Sequence, residues 1–137
     1  VPLAEHGRWD LPLADYEVLQ VTFAFPIDIV IYGEGGEAGL IRLAGGFEFT
    51  QQRQGVGSFD ASQQPWEELT PVLSLRHDRV RSARVSEPGN LVVEFESGRR
   101  MKAGSTPMYE NWEISGPGFQ LIALPTSGVA LFRDGTV

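Results

Sequence analysis

The stretch RVRSARVSEPGNLVVEFES, residues 79–97, decides the fold. Two apolar-alternating runs flank the turn signal Pro88-Gly89-Asn90, the pattern of an antiparallel hairpin. A three-residue loop at those positions sets Val85 opposite Val93 and Ala83 opposite Phe95 on a core face. The same register sets Arg84 opposite Glu94 on the outer face, an ion pair worth at most about 1 kcal/mol. A one-residue slip would put Phe95 in water, so the apolar pattern enforces this pairing.

Working outward, the same grammar recurs. Turn residues separate short segments rich in Val, Ile, Phe, Tyr and Leu, with 16 glycines and 9 prolines falling mostly at the breaks. Leu19, Val21, Phe23 and Phe25 share one side of a half-buried strand, and Ile27–Tyr32 follows as a second strand, continuous with it or bent at Pro26. Leu40–Leu43 and Phe47–Thr50 read as strands divided by a bend or bulge at Gly45-Gly46. Polar, glycine-rich Gln51–Ser58 reads as a mobile loop. Arg99–Ala103 is a short basic strand, Tyr109–Ile114 and Phe119–Leu124 form a hairpin across Gly116-Pro117-Gly118, and Val129–Phe132 closes the chain.

A single helical candidate opens near Asp60 or Ser62. Ser62 can cap it, Pro65, Glu67 and Glu68 suit a first turn, and Pro71 keeps it short, with Val72 and Leu75 facing inward after a kink. The expected architecture is mainly β, an antiparallel sandwich or partly open barrel with one short helix. It occupies a single domain over residues 1–137, since no repeat or long linker divides the chain.

Composition narrows the function classes. Hydrophobic residues at 42% and charged residues at 21% match a globular chain rather than a disordered or membrane one, and no run approaches the roughly 18 apolar residues of a membrane span. No secretory signal is visible, although the chain opens on Val1 rather than Met. The absence of cysteine excludes disulfides, thiolate metal sites and cysteine nucleophiles, and points to a cytoplasmic location. Eighteen acids against eleven bases give a formal charge of −7, which opposes a phosphate backbone and makes nucleic acid a poor partner.

The residues of catalysis are sparse. His6 and His77 are the only histidines, and only Asp78 stands beside one of them at ligand spacing, so neither a metal site nor a triad is expected. His77-Asp78 reads as a polar turn. The glycine clusters at residues 33–36 and 55–57 lack the P-loop lysine. Glu94 and Glu96 share a strand face about 7 Å apart, usually a solvated arrangement, and Glu110 and Glu113 fall on opposite faces. No catalytic residue, metal or cofactor is assigned.

Tryptophans and acids carry the remaining signal. Trp112, mid-strand, reads as core. Trp66 sits in QQPWEE, residues 63–68, where two roles are open: an exposed hot spot of a protein interface, or a ring that tucks the short helix onto the sheet, the commoner role.

At the carboxyl end, YENWEISGPG (residues 109–118) and PTSGVA (residues 125–130) resemble a family of small, actinobacterial-type β-rich domains whose ending reads Y-E-x-W-E-x-x-G-P. The likeness extends upstream through Pro71–Leu75 and Val80–Val85 and is looser in the first half. Thr126-Ser127-Gly128 departs from the double glycine usual in that family. No established activity comes with the resemblance, but small acidic β-rich domains often serve as immunity proteins beside toxins.

The expected function is a non-enzymatic protein-binding module of immunity type, neutralising a toxin through an acidic face of Glu34, Glu37, Asp60, Trp66, Glu67 and Glu68. The alternative is a small apolar-ligand carrier whose strands close around Phe23, Phe25, Phe95 and Trp112.

Overall fold

A computed structural model describes residues 7–51 and 55–133; His6 lies outside them. Among the described residues twelve strands form two antiparallel sheets. The first contains β1 (Arg8–Asp10), β7 (Val80–Ser86), β8 (Asn90–Phe95), β9 (Arg100–Ala103), β5 (Gly46–Gln51) and β6 (Gly55–Asp60), in that spatial order. The second runs β12 (Val129–Arg133), β11 (Phe119–Ala123), β10 (Trp112–Gly116), β4 (Ala38–Leu43), β3 (Ile27–Tyr32) and β2 (Glu17–Phe23). The result is a β-sandwich with no closed barrel, the first of the two architectures expected, with one short helical segment.

The inner faces meet in one cluster. Ile27, Ile29, Ile31 and Ile41 from the second sheet pack with Val93, Phe95 and Met101 from the first, and all are fully buried. Trp112 is buried as expected, and its indole N–H donates to Gly89 O at 2.9 Å. That bond satisfies the one polar atom of a core ring.

Backbone bonds join the sheets at the corner where β2 begins. Val18 N–H donates to Asp78 O and His77 N–H to Val18 O, at 2.8 and 2.7 Å, so the start of β2 pairs with the segment that leads into β7. Asp78 secures this corner. Its carboxylate, with 6% of the side chain exposed, accepts from Arg79 N–H at 2.9 Å, Ser97 N–H at 3.3 Å, the Ser97 hydroxyl and Arg99 Nη1 at 3.5 Å. His77 and Asp78 thus form a polar turn, as read.

Several expectations are corrected. The β7–β8 hairpin keeps Ala83, Val85, Val93 and Phe95 inside, but Val85 faces Leu91, Ala83 faces Val93, and the loop is Glu87-Pro88-Gly89. This is a shift of two positions, which period-two alternation cannot distinguish. Arg84 faces Val92 and reaches Glu94 diagonally, Nη2 to Oε1 at 3.0 Å.

In β2, Leu19 is an extra residue between Val18, opposite Ile31, and Gln20, opposite Val30. The bulge reverses the face, so Val18 is buried and Leu19 exposed, while Val21 and Phe23 still pack against the core. Pro26 neither continues nor bends a strand. It lies in the turn of the β2–β3 hairpin, where Phe23 faces Ile27, and Phe25 in that turn is 67% exposed.

Gly45-Gly46 carries the chain from one sheet to the other rather than marking a bend within one. Part of the expected loop, Gly55–Ser58, belongs to edge strand β6, paired with β5; residues 52–54 lie outside the described residues. Tyr109 and Asn111 precede β10 rather than belonging to it.

The helix is a 3-10 segment, Trp66–Leu75, with Pro65 at its start and no side-chain cap; Ser62 does not cap it. Leu69, Val72 and Leu75 are its buried residues, and their spacing of three matches three residues per turn, which an α-helix would not align.

Candidate functional site

Because the strands are antiparallel, the connections collect at two poles. At the crossover pole lie the segments at residues 24–26, 44–45, 61–65, 87–89, 104–111 and 124–128. Registers place them there: Ile27 and Trp112 both face Leu43, Gly46 faces Asp60, and Val129 faces Ala123. The opposite pole carries residues 11–16, 33–37, 76–79, 96–99 and 117–118.

Their chemistry differs. The crossover-pole connections contain no Lys or Arg, but they contain Glu87 and Glu110; of the flanking elements, β6 and the 3-10 segment add Asp60, Glu67 and Glu68, while β1 and β9 add Arg8 and Lys102. Among the described residues none of these five acids makes an ion pair. At the opposite pole Arg76, Arg79 and Arg99 offset the acids, and Arg79–Glu17 and Arg99–Asp78 pair at 3.7 and 3.5 Å.

The crossover pole also exposes large apolar groups: Met108 at 83%, Phe25 at 67%, Trp66 at 58%, and Leu124. Scattered apolar exposure is ordinary, whereas here four large apolar side chains collect at one pole together with acids that make no ion pair among the described residues.

A concavity of about 470 Å³, lined by Phe25, Ala44, Tyr109, Glu110 and Pro125, opens at this pole. Its walls are held by Gly45 and Asn111. A Cβ at Gly45 would strike the Tyr109 hydroxyl and meet Asn111 Oδ1 at 2.6 Å, so only glycine lets Tyr109 lie over the crossover. Asn111, buried, donates through Nδ2 to Gly46 O at 2.9 Å and Gly104 O at 2.7 Å, and its main-chain carbonyl accepts from Ala44 N–H at 2.9 Å. The side-chain amide thus ties the segment before β10 to the first sheet, while the backbone of the same residue bonds the connection that leaves β4.

Trp66 is exposed at the mouth of the 3-10 segment and does not tuck it onto the sheet; Leu69, Val72 and Leu75 do that. Glu67 and Glu68 are exposed beside it. Asp60 serves its own turn, accepting from Ser62 N–H at 2.8 Å and the Ser62 hydroxyl at 2.5 Å, while its N–H donates to Gln64 Oε1 at 2.6 Å. The turn meets the crossover directly, because Ala61 N–H donates to Gly45 O at 3.0 Å.

Glu34 and Glu37 stand apart. They lie in the β3–β4 turn, at the other end of β4 from Gly45, with the six residues of that strand, about 20 Å, between. Glu37 also folds back over its turn: a Cβ at Gly33 would meet Glu37 Oε2 at 2.5 Å and Tyr16 Cζ at 3.0 Å. Burial, and then the Glu37 charge, raise the Tyr16 pKa above its ordinary value. Of the six residues expected to form one acidic face, the fold brings Asp60, Trp66, Glu67 and Glu68 together and leaves Glu34 and Glu37 elsewhere.

Sequence reasoning missed Phe25, Met108, Tyr109 and Leu124 as surface residues. Phe25 continued an alternating strand on paper, and only the Pro26 turn removes it from the core. The carrier's four aromatics do not line one space, since Phe95 and Trp112 are buried in the core and Phe25 is exposed.

A second polar cluster, on the outer face of the second sheet, joins four strands. Arg42 pairs with Asp28 through two bonds, 2.7 and 3.0 Å, and lies 3.6 Å from Glu113, which in turn accepts from Gln120. The bond from Asp28 is the main cause of a raised Arg42 pKa. Directly facing positions make this a register lock: Asp28 faces Arg42, and Arg42 faces Glu113.

Among the described residues no group of three or more His, Cys, Asp or Glu side chains is arranged to hold a metal, and no helix is long and apolar enough to cross a membrane. Residues 9–133 match the model of a family described as a family of unknown function (DUF6188), and the chain belongs to that family. No curated protein and no solved structure matches it.

Proposed function

We propose that this member of DUF6188 is a non-enzymatic protein-binding module whose crossover pole docks a basic partner. The carrying observation is the coincidence, at that pole, of exposed Phe25, Trp66, Met108 and Leu124 with five acids that make no ion pair among the described residues. Apolar anchors supply affinity once desolvated, and like-signed charge speeds encounter with an oppositely charged surface. The specific form we favour is an immunity-type inhibitor acting in the cytoplasm, the acidic pole covering the basic active-site cleft of a toxin. The net charge of −7 and the cationless connections of the pole support it.

The test is capture of partners from the native host by the tagged full chain and by a Phe25→Ser, Trp66→Ser, Met108→Ser variant. A stoichiometric partner held by the wild type, lost by the variant and weakened by high salt is expected. A partner retained equally by both, or lost only on Glu34→Gln, Glu37→Gln substitution, would move the site elsewhere.

A further inference from the structure

We propose that the concavity at the crossover pole is a receptor for one arginine side chain of the partner, an inference that rests on the module reading and adds its chemistry. Phe25 and Tyr109 contribute two aromatic rings to a single cleft, Pro125 and Ala44 add apolar wall, and Glu110 supplies the one charged group in the lining. The depression, about 470 Å³, is shallow and open to solvent, so it suits the end of a side chain presented by a partner rather than an enclosed small ligand. Aromatic faces attract cations through their quadrupole, and a planar guanidinium can stack on a ring while pairing its N–H groups with a carboxylate. An ammonium ion lacks the flat face, and an anion would be repelled by Glu110.

No cation among the described residues occupies the place. Among the described residues Glu110 has no Lys, Arg or His within ion-pair distance, whereas Asp28, Glu113, Glu94 and Asp78 each have one. The cleft is also shaped independently of any occupant. Gly45 allows Tyr109 to lie across the crossover, and Asn111, next in the chain to Glu110, anchors the segment that carries Tyr109 and Glu110 through bonds to Gly46 O and Gly104 O. Such preformed walls reduce the ordering cost of binding a flexible side chain.

The test titrates the isotope-labelled full chain with N-acetyl-arginine amide and, in parallel, N-acetyl-citrulline amide, a neutral isostere, while amide resonances are followed. Arginine amide should shift Phe25, Ala44, Tyr109 and Glu110 with millimolar affinity, and citrulline amide should bind roughly tenfold more weakly. Glu110→Gln should weaken the arginine response by about tenfold, and Phe25→Leu should weaken it while leaving opposite-pole resonances in place. Equal response to both amides, no response at these residues, or an unchanged Glu110→Gln titration would overturn the proposal. The module reading is judged separately: a partner captured through Phe25, Trp66 and Met108 but indifferent to Glu110→Gln refutes the arginine receptor alone, whereas a partner indifferent to all of them refutes the reading beneath it.

Discussion

Replacing Asp78 by alanine tests the corner where the sheets meet. The carboxylate is nearly buried and accepts four bonds: Arg79 N–H at 2.9 Å, the Ser97 hydroxyl, and longer ones from Ser97 N–H and Arg99 at 3.3 and 3.5 Å. Bonds to a charged group contribute about 1.5–3 kcal/mol each when well formed, but they are not additive here, and the two long ones contribute little. Relief of the carboxylate's own desolvation offsets part of the loss. A net cost of about 2–4 kcal/mol follows, equivalent to roughly 10 °C in Tm for a chain of this length. Asp78→Asn, which keeps an acceptor, should cost about half as much. Urea unfolding monitored by tryptophan fluorescence reads the difference as a lower midpoint at constant slope. A double-mutant cycle with Ser97→Ala should show coupling of at least about 0.5 kcal/mol. If Asp78→Ala unfolds within about 0.5 kcal/mol of the wild type, the carboxylate does not brace the connections before β7 and after β8, and the reasoning fails.

Other outcomes follow from the same geometry. Phe25→Ser, at a 67% exposed site, should change stability by less than about 0.5 kcal/mol yet weaken the captured partner by about 2 kcal/mol, roughly thirtyfold, in a titration. Gly45→Ala drives a Cβ into Tyr109 and Asn111, so it should cost more than about 1 kcal/mol in urea and shift the Tyr109 resonances. The raised pKa of Tyr16 means that the folded state keeps a proton that the unfolded state releases from about pH 10 upward. Stability should therefore fall as pH climbs from there towards the folded pKa, and Tyr16→Phe should flatten that alkaline limb in Tm measurements.

Much of the architecture is legible in the sequence, because alternation names the inner face of a strand. Ala83, Val85, Val93 and Phe95 are buried as that rule requires. Alternation is blind to shifts of two, however, and the β7–β8 partners differ from expectation by that amount. It is equally blind to a bulge: one extra residue at Leu19 reverses the phase of β2, and no composition signal marks it. Strand β6 has glycine and serine where an apolar alternation would be sought, since an edge strand lacks one neighbour and is largely exposed. The candidate site was half legible for a related reason. Trp66 among glutamates stands out locally, and Trp66, Glu67 and Glu68 are all exposed. Whether Glu34 shares their surface depends on which end of β4 each turn occupies, and the exposure of Phe25 depends on a hairpin turning at Pro26. Both are consequences of topology rather than of local pattern.

The central claim is that partners bind at the crossover pole, and hydrogen exchange on the complex of the full chain with its captured partner tests it most directly. Amides at residues 24–26, 61–68, 104–111 and 124–128 should gain protection, while those at residues 33–37 and along β6 should exchange as in the free protein. Protection confined to the opposite pole or to the β6 edge would contradict the account.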